Sequence, residues 1–135
     1  MIWITGYVGS GKSTLSKDYK EVYEFDEIED LMSKEINMNK VNSDNFKEEC
    51  KKFLKKTDIK VFNGIQAVDY YQKGDKVYFV NTSFLKSLKR CKKRDNKEKY
   101  KEDIKDNIKL FFKLKLLYLK ALINKDIIKQ LPIDD

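Results

Sequence analysis

Residues 6–13 read Gly6-Tyr7-Val8-Gly9-Ser10-Gly11-Lys12-Ser13, which is G-x-x-x-x-G-K-S without a departure. An apolar run, Met1-Ile2-Trp3-Ile4, precedes it and a helix-compatible stretch, Thr14 to Tyr19, follows. The order strand, glycine loop, helix is the context in which this pattern binds phosphate. Glycines tolerate positive φ and close approach, so successive N–H groups from Gly6 to Thr14 can turn inward around phosphate oxygens. The positive end of the following helix faces the same anion. In this arrangement Lys12 reaches the β- and γ-phosphates and the Ser13 hydroxyl ligates Mg²⁺. Three of the chain's five glycines fall in this one loop, so it is not a by-product of a glycine-rich composition.

Asp26 follows a second apolar segment, Val22-Tyr23-Glu24-Phe25. In a parallel sheet the carboxyl ends of the strands open onto the ligand crevice, so Asp26 is expected on the edge that carries the loop. A carboxylate there can orient or deprotonate an acceptor hydroxyl, or hold Mg²⁺ through water. Asn63-Gly64-Ile65-Gln66 closes a third apolar segment on the same edge. The Asn63 and Gln66 amides suit a base or sugar, and Gly64 a tight turn or a close ligand. The chain's only two arginines, Arg90 and Arg94, stand four residues apart among 27 lysines. That spacing places both on one helical face. A guanidinium adds a rigid bidentate fork for phosphate that an ammonium lacks.

The elements that must position these groups can be read from the pattern. Four strands are expected, at Met1–Ile4, Val22–Phe25, Ile59–Phe62 and Val77–Val80, separated by helical stretches. The helices are expected from Leu31, from Ser43 or Asp44, after Asn81-Thr82-Ser83, and in a long C-terminal segment over about residues 101–130, with Pro132 beyond it. Ile65 to Tyr71 is either a short helix or a loop. Strands alternating with helices favour a mostly parallel sheet covered on both faces.

The chain has 135 residues, a single-domain length, with 41% hydrophobic residues and a net charge of +7. The lysine excess reads as solvated surface, although a basic surface also attracts nucleotides or nucleic acid. There is no histidine, which removes His-based acid–base catalysis, the Ser-His-Asp triad and the common zinc sites. Cys50 and Cys91 sit in separate helical patterns and read as packing residues in a reducing compartment. Leu110 to Ile123 is the longest apolar stretch, but Lys113, Lys115 and Lys120 interrupt it, so no membrane span is expected. With no leader pattern visible, a cytoplasmic protein is expected. The apolar C-terminal helix should pack on the sheet; its alternative use is a homodimer or partner surface.

Taken together, these residues resemble the small P-loop kinases of the nucleoside- and nucleotide-kinase type. That superfamily includes adenylate-kinase-like, polynucleotide-kinase-like and zeta-toxin-like enzymes, with short versions in bacteriophages. The resemblance implies a P-loop NTPase fold: a three-layer α/β/α sandwich with four to five mostly parallel strands and a minimal lid at about residues 86–100. It implies ATP or GTP with Mg²⁺ as cofactors, and a nucleoside, nucleotide or nucleotide-like acceptor, a deoxynucleoside monophosphate being the best match. It gives Asp26 the place of the acidic residue after strand two, and gives Arg90 and Arg94 the place of the lid arginines. The chain departs from the family at Asn63, where a carboxylate that helps hold Mg²⁺ is common. The alternatives are a kinase acting on a polynucleotide 5′-hydroxyl or a modified base in DNA, and a nucleotide-binding interaction protein with little turnover.

Overall fold

A computed structural model describes residues 1–10, 12, 21–80 and 83–129. Gly11, Ser13, Thr14, the helix expected from Thr14 to Tyr19, and Pro132 lie outside the described residues. Four strands, β1 (Ile2–Thr5), β2 (Val22–Glu24), β3 (Val61–Asn63) and β4 (Lys76–Phe79), form one all-parallel sheet in the order β2-β3-β1-β4. The described helices are α1 (Ile28–Ser33), α2 (Phe46–Lys56), α3 (Ala67–Tyr70), α4 (Phe84–Arg94) and α5 (Lys97–Ile123). The α/β class and the parallel sheet are as the sequence pattern predicts.

Side chains alternate across a strand, and here both sets are buried. Trp3, Phe62 and Val77 point into the larger core with Phe25, Met32, Phe53, Leu117 and Ala121. Ile4 and Val61, both fully buried, belong to a second apolar cluster with Ile2, Val22, Tyr78 and Val80. Burial on both faces accounts for the continuous apolar runs and is compatible with a three-layer sandwich. The Trp3, Phe25 and Phe62 rings form a triangle, with centroid distances of 5.8, 6.0 and 5.7 Å.

Two expectations about the C-terminal third are corrected. The stretch read as a lid over about residues 86–100 is two elements, since α4 ends at Arg94 and α5 begins at Lys97. The break is a helix cap: the Asn96 side chain accepts from the Lys99 N–H at 2.8 Å, which starts a new helix. The C-terminal helix does not run over residues 101–130. It ends at Ile123, and Lys125 takes a left-handed φ of 58°. The chain then runs beside β4: Val77 N–H donates to the Asp126 carbonyl at 2.8 Å and Ile128 N–H to the Val77 carbonyl at 3.0 Å. Residues 126–128 thus lengthen the sheet past its fourth strand. Asp126 secures the turn by accepting from Tyr71 Oη at 2.5 Å, Gly74 N–H at 2.9 Å and Lys76 Nζ at 3.1 Å.

Helix α5 packs through Leu110, Leu114, Leu117 and Ala121, as its apolar pattern predicts. Its opposite face carries Ile108, Phe112, Leu116, Leu119 and Ile123, all more than half exposed. No described helix is long and apolar enough to cross a membrane.

Candidate functional site

All four strands point the same way, so their carboxyl ends share one edge. Thr5 leads there into the glycine loop, Glu24 into a 3₁₀ turn over Phe25–Glu27 containing Asp26, and Asn63 into Gly64. The topology therefore brings the loop, Asp26 and Asn63 together.

The loop is tightly held. Ser10 N–H donates to the Tyr7 carbonyl at 3.0 Å, closing a turn in which Gly9 has a φ of +82°. A Cβ on Gly9 would stand 2.7 Å from the Ser87 carbonyl oxygen of α4. Glycine is needed here twice over, for its φ and for the contact with the helix. Asn107 of α5, fully buried, grips the neighbouring residue. Its Oδ1 accepts from Val8 N–H at 2.8 Å and its Nδ2 donates to the Val8 carbonyl at 3.1 Å. Cys91 Sγ donates to that same carbonyl at 3.4 Å. Burial pushes the Cys91 thiol up, which keeps it in the protonated, donating form. Val8 therefore anchors the loop to α4 and α5; its N–H is directed at Asn107.

Lys12 lies just past the turn, half-buried, with Nζ donating to the Tyr7 carbonyl at 3.1 Å. Burial lowers its pKa, while Glu24 and then Asp26 oppose that shift and Arg94 adds to it. The ammonium thus feels both carboxylates at the end of β2 and one of the two arginines. Asp26 accepts from Gln66 Nε2 at 2.8 Å, so these two expected site residues meet directly. Gly64 N–H donates to the Ile4 carbonyl at 3.0 Å and continues the β3–β1 pairing.

The arginines have different settings. Arg90 Nη1 donates to the Ser10 carbonyl at 3.1 Å and so touches the loop. Arg94 directs its fork at Asp95, with Nε–Oδ1 at 2.9 Å and Nη2–Oδ2 at 3.0 Å. That pairing brings the Asp95 carboxyl down to about 2. Helix α4 is seated on the loop through Ser87 and Cys91, both fully buried.

Sequence reasoning passed over Glu24, Asn107 and Ser87. Glu24 carried a usable signal, because the rule that puts Asp26 at the ligand edge applies equally to the residue ending β2. Its carboxylate accepts from Asn63 Nδ2 at 2.9 and 2.8 Å. Asn107 and Ser87 gave none: polar residues at those helix positions read as solvated.

Glu24 and Asp26 supply hard oxygen donors on the loop's edge, the donor type Mg²⁺ requires directly or through water. Ser13, the expected direct ligand, lies outside the described residues. Among the described residues, Cys91, Asp95 and Asp103 also come within 4.8 Å of one another. Arg94 already occupies both Asp95 oxygens, so this group is an ion-paired packing cluster behind the loop.

No protein-family model matches the chain, and no curated protein is significantly similar to it.

Proposed function

We propose that the chain is a P-loop phosphotransferase that moves a phosphoryl group from ATP or GTP, with Mg²⁺, to a nucleoside, nucleotide or nucleotide-like acceptor. One observation carries this reading. Lys12, from an intact G-x-x-x-x-G-K-S pattern, is half-buried against the loop and lies in the field of both Glu24 and Asp26. Phosphate charge entering this site would meet a desolvated cation on which two carboxylates act.

Lys12 and Arg90 neutralise the transferring group from the loop side. Asp26, oriented by Gln66, faces the acceptor, with Glu24 beside it as a second carboxylate. If the acceptor is a hydroxyl, one of them takes its proton; a phosphate acceptor needs no strong base, and both then serve binding. Mg²⁺ bound with the nucleotide would offset charge on the phosphates. A deoxynucleoside monophosphate is the preferred acceptor within this class, and the end of a polynucleotide its closest rival.

The test is ATP consumption with nucleosides, nucleoside monophosphates and 5′-hydroxyl oligonucleotides, comparing wild type with Lys12→Ala. Acceptor-dependent turnover that falls by about a hundredfold or more in the variant is expected, as for loss of a charge aimed at the transition state. Unaltered turnover in Lys12→Ala overturns the assignment.

The exposed apolar face of α5 favours one other reading, a nucleotide-binding interaction protein whose partner or second copy covers that face. Nucleotide binding without turnover against any of these acceptors would select it.

A further inference from the structure

A cavity of about 370 Å³ opens beside the start of the glycine loop. Tyr7 of the loop, Phe79 and Val80 at the end of β4, and Leu114, Tyr118 and Leu119 of α5 form its walls. Its volume lies in the range of small-molecule sites, about 300–1,000 Å³. The aromatic walls are braced: Phe79 and Tyr118 meet edge-to-face at 5.4 Å, and Tyr7 meets Phe84 in the same manner at 5.5 Å. Among the described residues, Lys115 supplies the one charged side chain of the lining, and no carboxylate or carboxamide side chain is part of it.

This chemistry fits a flat, largely uncharged ring. The cavity also shares a residue with the phosphate loop, because the Tyr7 carbonyl is the group that Lys12 Nζ holds. A ring bound here would stand at the mouth of the loop.

Resting on the phosphotransferase reading, we propose that this cavity takes the heteroaromatic base of the nucleotide whose phosphates occupy the glycine loop, and that it accepts adenine and guanine alike. Stacking against aromatic faces is tolerant of base identity, since every base has a π-face. Telling adenine from guanine takes side-chain donors and acceptors placed against the base edge. The described lining offers only the Tyr7 and Tyr118 hydroxyls and the Lys115 ammonium, none of which presents the paired donor and acceptor that fixes one base edge. A largely apolar pocket discriminates weakly between near-isosteres.

Inorganic tripolyphosphate separates the two sites, because it offers the phosphates without a base. Binding of ATP, GTP and tripolyphosphate, each with Mg²⁺, is to be measured by calorimetry on the full chain. Tyr118→Ala removes an aromatic wall and Leu119→Trp narrows the cavity; both residues are about half exposed, so the fold tolerates the changes. For wild type, ATP and GTP should bind within about threefold of each other. Both should bind at least about tenfold more tightly than tripolyphosphate. In the variants the nucleotides should fall toward the tripolyphosphate value, and tripolyphosphate itself should not change. If tripolyphosphate binds as tightly as ATP, if both variants keep the ATP-to-tripolyphosphate ratio, or if ATP and GTP differ more than about tenfold, the base assignment is overturned while the phosphate loop stands. If neither ATP nor tripolyphosphate binds wild type, the phosphate loop falls and the base site with it.

Discussion

Asn63 donates to both oxygens of the Glu24 carboxylate, at 2.9 and 2.8 Å, from the paired position on the neighbouring strand. An amide thus ends β3, and its effect is to orient a carboxylate on the adjacent strand. Asn63→Asp would set two carboxylates face to face in place of donor and acceptor. Like charge raises a carboxyl pKa, so the folded form of the variant gains a proton relative to the unfolded chain. Its stability is then retained at low pH and lost as pH rises through the raised value. Thermal melts should show Asn63→Asp close to wild type near pH 4 and well below it at pH 7.5. Equal melting temperatures at pH 7.5 would show that the amide donor is dispensable.

Gly9 should tolerate no side chain. Alanine there meets both the left-handed φ of +82° and the Ser87 carbonyl at 2.7 Å. The strain alone costs about 1–3 kcal/mol, and relieving the contact requires α4 to move off the loop. Gly9→Ala should therefore lose nucleotide affinity as well as stability, measured by calorimetry and urea denaturation. Wild-type affinity in a folded Gly9→Ala protein would mean that the seat on α4 plays no part in shaping the loop.

Asp103 should weaken the fold at neutral pH. It is fully buried, and burial raises its carboxyl pKa, with Asp95 adding to the effect and Lys99, at 3.7 Å, opposing it. A carboxyl raised in the folded state contributes stability below its unfolded value that is lost as pH rises through the folded one. Asp95 runs the other way: held down to about 2 by Arg94, it stabilises above its ordinary range and loses that effect as pH falls toward 2. Asp103→Asn should be more stable than wild type at pH 8, with the difference shrinking toward pH 4. Urea titrations at the two pH values decide it, and a variant destabilised equally at both would refute the argument.

Arg90 and Arg94 should separate on conservative substitution. Arg90 touches the loop through the Ser10 carbonyl, whereas Arg94 is committed to Asp95. Arg90→Lys is expected to lower the phosphoryl-transfer rate about tenfold with less effect on nucleotide affinity, the pattern of a group that acts on developing charge. Arg94→Lys should cost several-fold less. Equal losses would mean that Arg94 leaves Asp95 for the phosphates when nucleotide binds.

Removing the Asn107 amide should loosen the loop without unfolding the chain. Asn107→Leu fills similar space, leaves the Val8 N–H without its partner, at about 1–3 kcal/mol, and leaves the Val8 carbonyl to Cys91 alone. Asn107→Asp keeps the acceptor for Val8 N–H and loses the donor to its carbonyl, so it should bind nucleotide better than Asn107→Leu and less well than wild type. Calorimetry on the three proteins gives the order directly; identical affinities would exclude a positioning role.

The strands were legible because a parallel sheet buried on both faces demands unbroken apolar runs, and Ile2, Trp3, Val61, Phe62 and Val77 satisfy it. The loop and Asp26 followed from a local pattern and a rule about strand ends. Arg90 and Arg94 were rightly placed on one helix; the contact of Arg90 with Ser10, 80 residues away, exists only once α4 is seated, whereas Arg94 pairs with its chain neighbour Asp95. The break at Asn96 had a capping signal that the surrounding run of charge obscured. The end of α5 had none: Lys125 leaves the helix because Asp126 finds Tyr71, Gly74 and Lys76, contacts that exist only after the sheet has formed.

The clasp between Val8 and Asn107 spans 99 residues. Contacts so distant in sequence form late, because the intervening chain must first be ordered. Every letter of the glycine-loop pattern is in place by residue 13, yet its shape depends on a helix synthesised more than eighty residues later. A fragment ending at Asn96 would contain the whole pattern and no Asn107 to hold it. In this protein, the shape of the glycine loop is acquired with the completion of folding.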